Sequence, residues 1–289
     1  MTALSINLNK IALIRNSRDT DYPSLTRHAG MCIDAGADGI TVHPRPDQRH
    51  IRVDDCFALA EAVNVELNLE GNPFAGPRRS QRDGVRDYPG FLDIVHAIRP
   101  AQCTLVPDTE HQLTSDHGFD LRREGDRLTP IVNQLRSAGI RVSLFMDPVH
   151  DQIELAHKIG ADRIELYTGP YAHAWDNREA RAESLGAFAE AAQLAHSLGL
   201  GVNAGHDLNL HNLAAFAQAI PQLLEWLGDE DASIGCKSYS AKALHELAAD
   251  GRVNHDEFAC ALKSQTNSTT QAFGKRMQTE LRKLQQLSQ

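Results

Sequence analysis

The feature that most constrains the fold of this chain is a repeated junction between a helix and a strand. Helix-like segments end in AGADG, SAGIR, KIGADR and SLGLG, and each junction contains a glycine followed by a strand-like run. A glycine just after the last helical turn adopts the left-handed conformation that ends a helix. The repetition predicts alternating strands and helices, in which the helical crossovers make successive strands parallel.

Short aliphatic and β-branched runs recur between the helix-like segments and are typical of buried strands. An eighth strand is expected after the helical segment Leu213–Leu224. This count predicts an α/β fold, a (β/α)₈ barrel of the TIM type with extra helices; an open doubly wound sheet is the alternative. The seven runs are Leu4–Asn9, Gly39–His43, Val65–Glu70, Gln102–Pro107, Ile140–Asp147, Arg163–Thr168 and Leu200–His206.

The position of the polar residues favours the barrel over the open sheet. Nearly every strand-like run ends in side chains that can bind or transfer protons, such as Asn7, His43, Glu70, Asp147 and His206. In a barrel these carboxyl ends meet at one mouth, whereas in an open sheet they lie along a line. Neither G-x-G-x-x-G after the first run nor a P-loop motif is present, so a dinucleotide or P-loop site is not expected.

Composition limits the partners and the compartment. The 289 residues suffice for one large barrel, and a formal net charge of −9 argues against nucleic acid and acidic membranes as partners. The five cysteines form no C-x-x-C pair, which indicates a reducing compartment. The sequence shows neither a signal-peptide pattern nor an apolar run near the roughly 20 residues of a membrane span, so we expect a cytoplasmic protein.

The stretch GITVHPRPDQRHI, from Gly39 to Ile51, places two histidines and two arginines directly after a strand. Guanidinium groups offer paired hydrogen bonds to phosphate oxygens, so Arg45, Arg49 and His50 predict a phosphate site. For this run alone a solvated basic loop is the alternative. Its position at the mouth of a barrel favours the phosphate site.

Three residues at strand ends are candidates for proton transfer. Glu70, in VELNLEGNP, suits a general base, and His206, after Gly205, can exchange a proton near neutral pH. A salt bridge for Glu70 and a core histidine for His206 are the structural alternatives. Together with His43 they could instead bind a metal, but Lys10 at the first strand end would repel a cation. Lys10 suits an anion, or a Schiff base with a carbonyl substrate.

These residues lie in motifs that resemble the pyridoxine 5′-phosphate synthase family, from about Leu4 to Glu225. The resemblance implies a (β/α)₈ barrel with extra helices, usually assembled as an octamer built from dimers, and a reaction that requires no metal or organic cofactor. That reaction joins two small phosphorylated substrates, 3-amino-2-oxopropyl phosphate and 1-deoxy-D-xylulose 5-phosphate, into pyridoxine 5′-phosphate. The motifs are N-x-N-K-I-A-x-x-R-N-x-R at Asn7–Arg18, A-G-A-D-G-I-T-V-H-P-R-P-D-x-R-H-I-R at Ala35–Arg52, N-L-E at Asn68–Glu70, L-V-P-D at Leu105–Asp108, R-I-E-L-Y-T at Arg163–Thr168 and N-A-G-H-D-L at Asn203–Leu208.

The resemblance also implies residue roles. His43 matches the first proton acceptor of the family, Glu70 the second, and His206 the proton donor. The positions that match substrate-binding residues are Asn7, Arg18, Arg45, His50 and Thr114.

The chain departs from the common family pattern in three places. The first strand reads N-x-N-K, with Asn9 and Lys10, and Asp207 follows His206. We interpret both departures as features of a subgroup that keeps the activity, and we expect Asn9, Lys10 and Asp207 to be substrate-binding residues. The last strand of the family carries a Gly-His phosphate site, and the nearest match here is Gly235-Cys236. Residues 1–235 are therefore predicted to form the barrel and residues 236–289 an atypical helical tail.

Three functions are compatible with this sequence. The first is an active synthase of this family. The second is a phosphosugar-binding protein that has lost turnover through the altered last strand. The third is another barrel enzyme acting on phosphorylated sugars, such as an isomerase or aldolase. The absence of a recognisable Schiff-base lysine on a late strand disfavours the aldolase.

Overall fold

The computed structural model of the chain describes residues 3–17, 21–109, 112, 114–209 and 211–229. Eight parallel strands form a closed barrel in which each strand pairs with the next and the last pairs with the first. The (β/α)₈ prediction is confirmed, and the open-sheet alternative is wrong. The strands are β1 (Ala3–Asn7), β2 (Gly39–Val42), β3 (Glu66–Gly71), β4 (Gln102–Leu105), β5 (Arg141–Met146), β6 (Arg163–Leu166), β7 (Gly201–Ala204) and β8 (Leu223–Asp229).

The glycine junctions have the conformation that the sequence predicts. Gly36, Gly139, Gly160 and Gly199 all have positive φ, between 79° and 105°. Each ends a helix and turns the chain into the next strand. In the described part of the chain the helices are α1 (Asn9–Asn16), α2 (Leu25–Asp34), α3 (Val53–Ala62), α4 (Phe91–Ile98), α5 (Leu121–Ser137), α6 (His150–Lys158), α7 (Gly169–His173), α8 (Arg178–Ser197) and α9 (Leu213–Ala219).

The eighth strand is present where the sequence predicts it. It begins at Leu223, overlapping the last two residues of the segment predicted to be helical, and pairs with β7. Its backbone pairs with β1 from Ala3↔Glu225 to Asn7↔Asp229, which closes the barrel. Gly235, Cys236 and the predicted tail, residues 236–289, lie outside the described residues.

The core has an apolar outer layer and a partly polar barrel interior. Aliphatic residues of the strands and the rings of Tyr171, Phe188 and Phe216 pack between the sheet and the helices. Inside the barrel, the hydroxyl groups of Ser5 and Thr41 are hydrogen-bonded at 2.8 Å. The carboxyl ends of the strands thus form one mouth.

In the described part of the chain, no helix has the length and apolar character to cross a membrane.

Candidate active site

A cavity of about 170 Å³ opens at the carboxyl ends of the strands. Most residues that the sequence predicts for the site line it, which confirms that the strand ends converge. Asp207 lies beside His206 at this mouth, with its Oδ2 3.1 Å from His206 Nδ1. Arg18 lies outside the described residues, as do Gly235 and Cys236. The predicted residues that line the cavity are Asn7, Asn9, Lys10, His43, Arg45, His50, Glu70, Thr114 and His206.

Two asparagines, Asn7 at the end of β1 and Asn9 at the start of α1, hold the neighbouring strand ends in place. The amide of Asn7 donates to Glu70 Oε2 at 3.5 Å, and its oxygen accepts from the backbone N–H of Asn9 at 2.8 Å. Asn9 Oδ1 in turn accepts from the backbone N–H of His43 at 2.9 Å. The Asn9 side chain therefore positions the end of β2, a role that the sequence does not reveal.

His43 lies between two carboxylates. Its Nδ1 is 3.9 Å from Glu70 Oε2, and its Nε2 is 3.4 Å from Asp108 Oδ2. Burial lowers the pKa of His43 well below its ordinary value, and the nearby charges of Arg45, His206 and Arg49 lower it further. The imidazole is therefore neutral at physiological pH and has a lone pair with which to accept a proton.

Arg45 is held by two partners on the loop after β4. Its guanidinium forms a short ion pair with Asp108 Oδ2 and donates to the carbonyl of Gln112 at 3.0 Å. The Arg49 guanidinium donates to the same carbonyl at 3.0 Å and pairs with Asp47 at 2.7 Å. The predicted basic cluster is thus tied to the loop that carries Thr114, and it is not a solvated surface run.

The backbone around His50 fixes the direction of its ring. The ring Nδ1 accepts from the backbone N–H of Ile51 at 2.9 Å, while the His50 carbonyl accepts from Arg15 and Asn16 at 3.1 and 2.7 Å. Burial lowers the pKa of His50 to about 3, with smaller contributions from the charges of His43 and Arg45. Because Nδ1 accepts, the proton of the neutral ring lies on Nε2, which can donate to an anion.

His206 lies at the end of β7 on the opposite side of the mouth. Its Nε2 is 2.9 Å from the Thr114 hydroxyl, and its ring packs edge-on against Tyr167 at 5.2 Å. Asp207 has a positive φ of 63°, and its contact with His206 is the largest of the causes that lower the pKa of its carboxyl. The Asp207 side chain is half-exposed. Within the described residues, the main polar contact of its carboxylate is to His206 Nδ1.

Sequence reasoning placed Asp108 and Glu165 at strand ends but assigned them no role. Both are buried at the mouth, and Glu165 lines the cavity. A second cavity of about 250 Å³ shares His43 and Arg45 with the first and is lined by Asp108 as well. The signal was present in the motifs L-V-P-D and R-I-E-L-Y-T: Asp108 lies three residues after β4, and Glu165 is the penultimate residue of β6.

The metal alternative finds no support in this geometry. Among the residues that the structure describes, no group of three His, Cys, Asp or Glu side chains has an arrangement that could hold a metal ion. His43, Glu70 and His206 instead contact Asp108, Asn7 and Thr114. The arrangement suits proton transfer beside bound anions.

Fold and site together define a class, that of (β/α)₈-barrel proteins with basic, imidazole and carboxylate side chains at the mouth of the barrel. A family model described as pyridoxal phosphate biosynthesis protein PdxJ matches residues 4–233. The chain therefore belongs to this family.

Individual relatives agree with the family assignment. A protein of Xanthomonas campestris pv. campestris (strain B100) named pyridoxine 5′-phosphate synthase is 54% identical over 227 residues, which cover 78% of this chain and 86% of that protein. A protein of the same name from Xylella fastidiosa (strain 9a5c) is 52% identical over 227 residues, which cover 78% of this chain and 84% of that protein. Among solved structures, a cube-shaped designed protein cage made from fused oligomeric domains aligns with a TM-score of 0.52, covering 100% of this chain and 86% of that one. At 13% identity this last likeness shows the fold alone.

Proposed function

We propose that this chain condenses 3-amino-2-oxopropyl phosphate with 1-deoxy-D-xylulose 5-phosphate, which gives pyridoxine 5′-phosphate, inorganic phosphate and water. Membership of the pyridoxal phosphate biosynthesis family and the names of relatives at 50–54% identity support this function. The site observation that carries it is the pair of proton acceptors at the mouth. Glu70 Oε2 and the neutral His43 ring lie 3.9 Å apart and line the same cavity.

The proton transfers are divided among three residues. His43 acts as the first proton acceptor, because burial keeps its imidazole neutral. Glu70 acts as the second, oriented by the amide of Asn7. His206 acts as the proton donor, and the Thr114 hydroxyl at its Nε2 marks the side from which substrate approaches. A condensation that removes water and phosphate needs such acids and bases within one cavity.

The phosphate groups of the substrates are bound by the basic residues of the mouth. Arg45 and His50 hold the sugar phosphate, since one presents a guanidinium and the other an Nε2 donor. Lys10 lines the same cavity and adds positive charge. The proposal extends to Arg18, Asp207, Gly235 and Cys236 as further substrate-binding positions and involves neither a metal nor an organic cofactor.

We also propose that the chain forms a homo-oligomer and works in the cytoplasm. Four of the five large apolar side chains that are exposed in the described part of the chain lie close together in the sequence. They are Leu13, Ile14, Tyr22 and Met31, on α1, α2 and the segment between. Such side chains favour burial against another copy, because isolated proteins seldom concentrate apolar surface in one segment.

The test is whether the purified full-length chain forms pyridoxine 5′-phosphate from the two substrates, and mass spectrometry detects the product. Glu70→Gln removes the carboxylate while it keeps the shape, and we expect turnover to fall by about 10²–10⁴-fold. Glu66→Gln is the matched control, because Glu66 begins the same strand, is half-exposed and pairs with Arg141 away from the mouth. Full activity of Glu70→Gln would rule out the proposed role of this residue.

The binding-protein alternative predicts a different result. It rests on the chain beyond residue 233, which the family model does not match. Folded protein that binds 1-deoxy-D-xylulose 5-phosphate but forms no product would favour it. Product formation by the wild-type chain would exclude it.

A further inference from the structure

Asp108 is a buried carboxylate that the family resemblance assigns to no step. It lies three residues after the end of β4, and its side chain is 6% exposed. Its backbone carbonyl accepts a hydrogen bond from the Asn72 amide at 2.6 Å, which fixes the start of the loop. One oxygen, Oδ2, contacts both the Arg45 guanidinium and His43 Nε2, the latter at 3.4 Å.

A single carboxylate oxygen can serve both partners, because it has two lone pairs. Burial raises the pKa of Asp108, and the positive charge of Arg45 opposes that rise. The short ion pair with Arg45 therefore favours the ionised carboxylate in a site that otherwise disfavours it. An ionised Asp108 only accepts hydrogen bonds, so its contact with His43 requires a proton on Nε2.

The tautomer of His43 follows from this contact. A neutral imidazole carries one proton, and of its two carboxylate neighbours Asp108 is the nearer, at 3.4 Å against 3.9 Å for Glu70. With the proton on Nε2, the Nδ1 lone pair faces Glu70 and the cavity. Hydrogen bonds in ligand-free sites are often long and tighten when substrate binds, which suits the 3.4 Å distance.

We propose that Asp108 is the positioning residue of this site: it holds His43 in the Nε2-protonated tautomer and Arg45 in register with it, so that the proton acceptor and the anion-binding group stay in one arrangement. The inference rests on the proposed function, in which His43 accepts a proton. A carboxylate that orients a catalytic histidine through its second nitrogen is a recurring device in enzymes.

A simpler role for Asp108 is charge neutralisation of the buried Arg45. In that case removal of the carboxylate would free the guanidinium, strengthen phosphate binding and leave the His43 ring unchanged. The two roles therefore differ in what happens to His43, and that difference can be measured directly.

The experiment compares Asp108→Asn with Asp116→Asn, which changes an exposed aspartate on the same loop whose Oδ1 contacts Gln112 and His117. Turnover of Asp108→Asn should fall by about 10–100-fold, the usual cost of losing a partner that orients a catalytic group. KM for 1-deoxy-D-xylulose 5-phosphate should change by less than about threefold, since the Gln112 carbonyl still holds Arg45. Asp116→Asn should retain wild-type kinetics, and Asp108→Glu should restore part of the lost turnover.

A second measurement does not depend on activity. In protein labelled with ¹⁵N-histidine, the His43 resonance, assigned with His43→Gln, should show the Nε2-protonated tautomer in the wild type. In Asp108→Asn it should show a mixture of tautomers. If the wild type makes no pyridoxine 5′-phosphate, the proposed function fails, and the tautomer still tests the contact.

Two results would overturn the inference. The first is an Nδ1-protonated His43 in the wild type, which needs no variant to fold. The second is an Asp108→Asn variant with an unchanged His43 resonance and tighter binding of inorganic phosphate, which would establish charge neutralisation as the role of Asp108.

Discussion

At the scale of single residues, the sequence predicted the members of the site but not their contacts. Histidine and carboxylate at strand ends identified His43, Glu70 and His206, because a barrel brings such ends together. Asp108 stayed unassigned, since a carboxylate beside an arginine in space cannot be recognised when 63 residues separate them. The role of Asn9 was equally hidden, because its bond goes to a backbone N–H on another strand.

His50 predicts a pH dependence of stability. Its pKa is about 3 in the folded chain and 6.5 ordinarily, so below pH 6.5 the unfolded chain binds a proton that the folded chain does not. The resulting loss in the free energy of unfolding is absent above pH 6.5 and grows as pH falls toward 3. His50→Asn keeps an acceptor for the Ile51 N–H but cannot titrate.

We therefore expect the free energy of unfolding to fall less in His50→Asn than in the wild type between pH 7 and pH 5, by up to about 2 kcal/mol. Urea unfolding at the two pH values measures this difference. His117→Asn is the control, because His117 is half-exposed and lies on the loop near Thr114. An identical pH dependence in His50→Asn and the wild type would contradict the prediction.

At the scale of elements, α1 and α3 together hold the loop after β2 that carries Arg45 and His50. The buried Arg15 of α1 pairs through both terminal nitrogens with Asp55 of α3, and it also donates to the His50 carbonyl at 3.1 Å. Asp55 accepts from the backbone N–H of Arg52 at 2.7 Å, which caps the first turn of α3. The sequence did not predict this link, because an ion pair between residues 40 positions apart leaves no local signal.

This network predicts that Asp55→Asn destabilises the chain. Loss of the charge leaves Arg15 buried without its partner, at a cost of about 3–5 kcal/mol in the free energy of unfolding. The neighbouring Asp54→Asn is the matched control, because Asp54 and its partner Arg86 are more than half exposed, and its cost should stay below about 1 kcal/mol. Chemical denaturation measures both variants, and equal effects would show that the buried pair does not stabilise the loop.

At the scale of the whole molecule, the sequence predicted the barrel from its glycine junctions and an eighth strand near Leu224, but not the bounds of that strand. The junctions were informative because Gly36, Gly139, Gly160 and Gly199 each need a positive φ. The closing strand has no comparable marker. Its place is set by backbone pairing between β1 and residues 225–229, and any sequence that tolerates an extended conformation can form such pairs.

Assembly of the whole molecule supplies the last prediction. Ile14 and Met31 are each 45% exposed, on α1 and α2, in the segment that we propose as an interface between copies. A charge placed there would have to be desolvated on association, so Ile14→Glu and Met31→Glu together should shift the oligomer toward smaller species. Val149→Glu is the matched control, since Val149 is also 45% exposed but lies just before α6. Light scattering after size-exclusion chromatography measures the masses. A double variant with the mass of the wild type would place the interface elsewhere, and a monomeric wild type would refute the proposed oligomer.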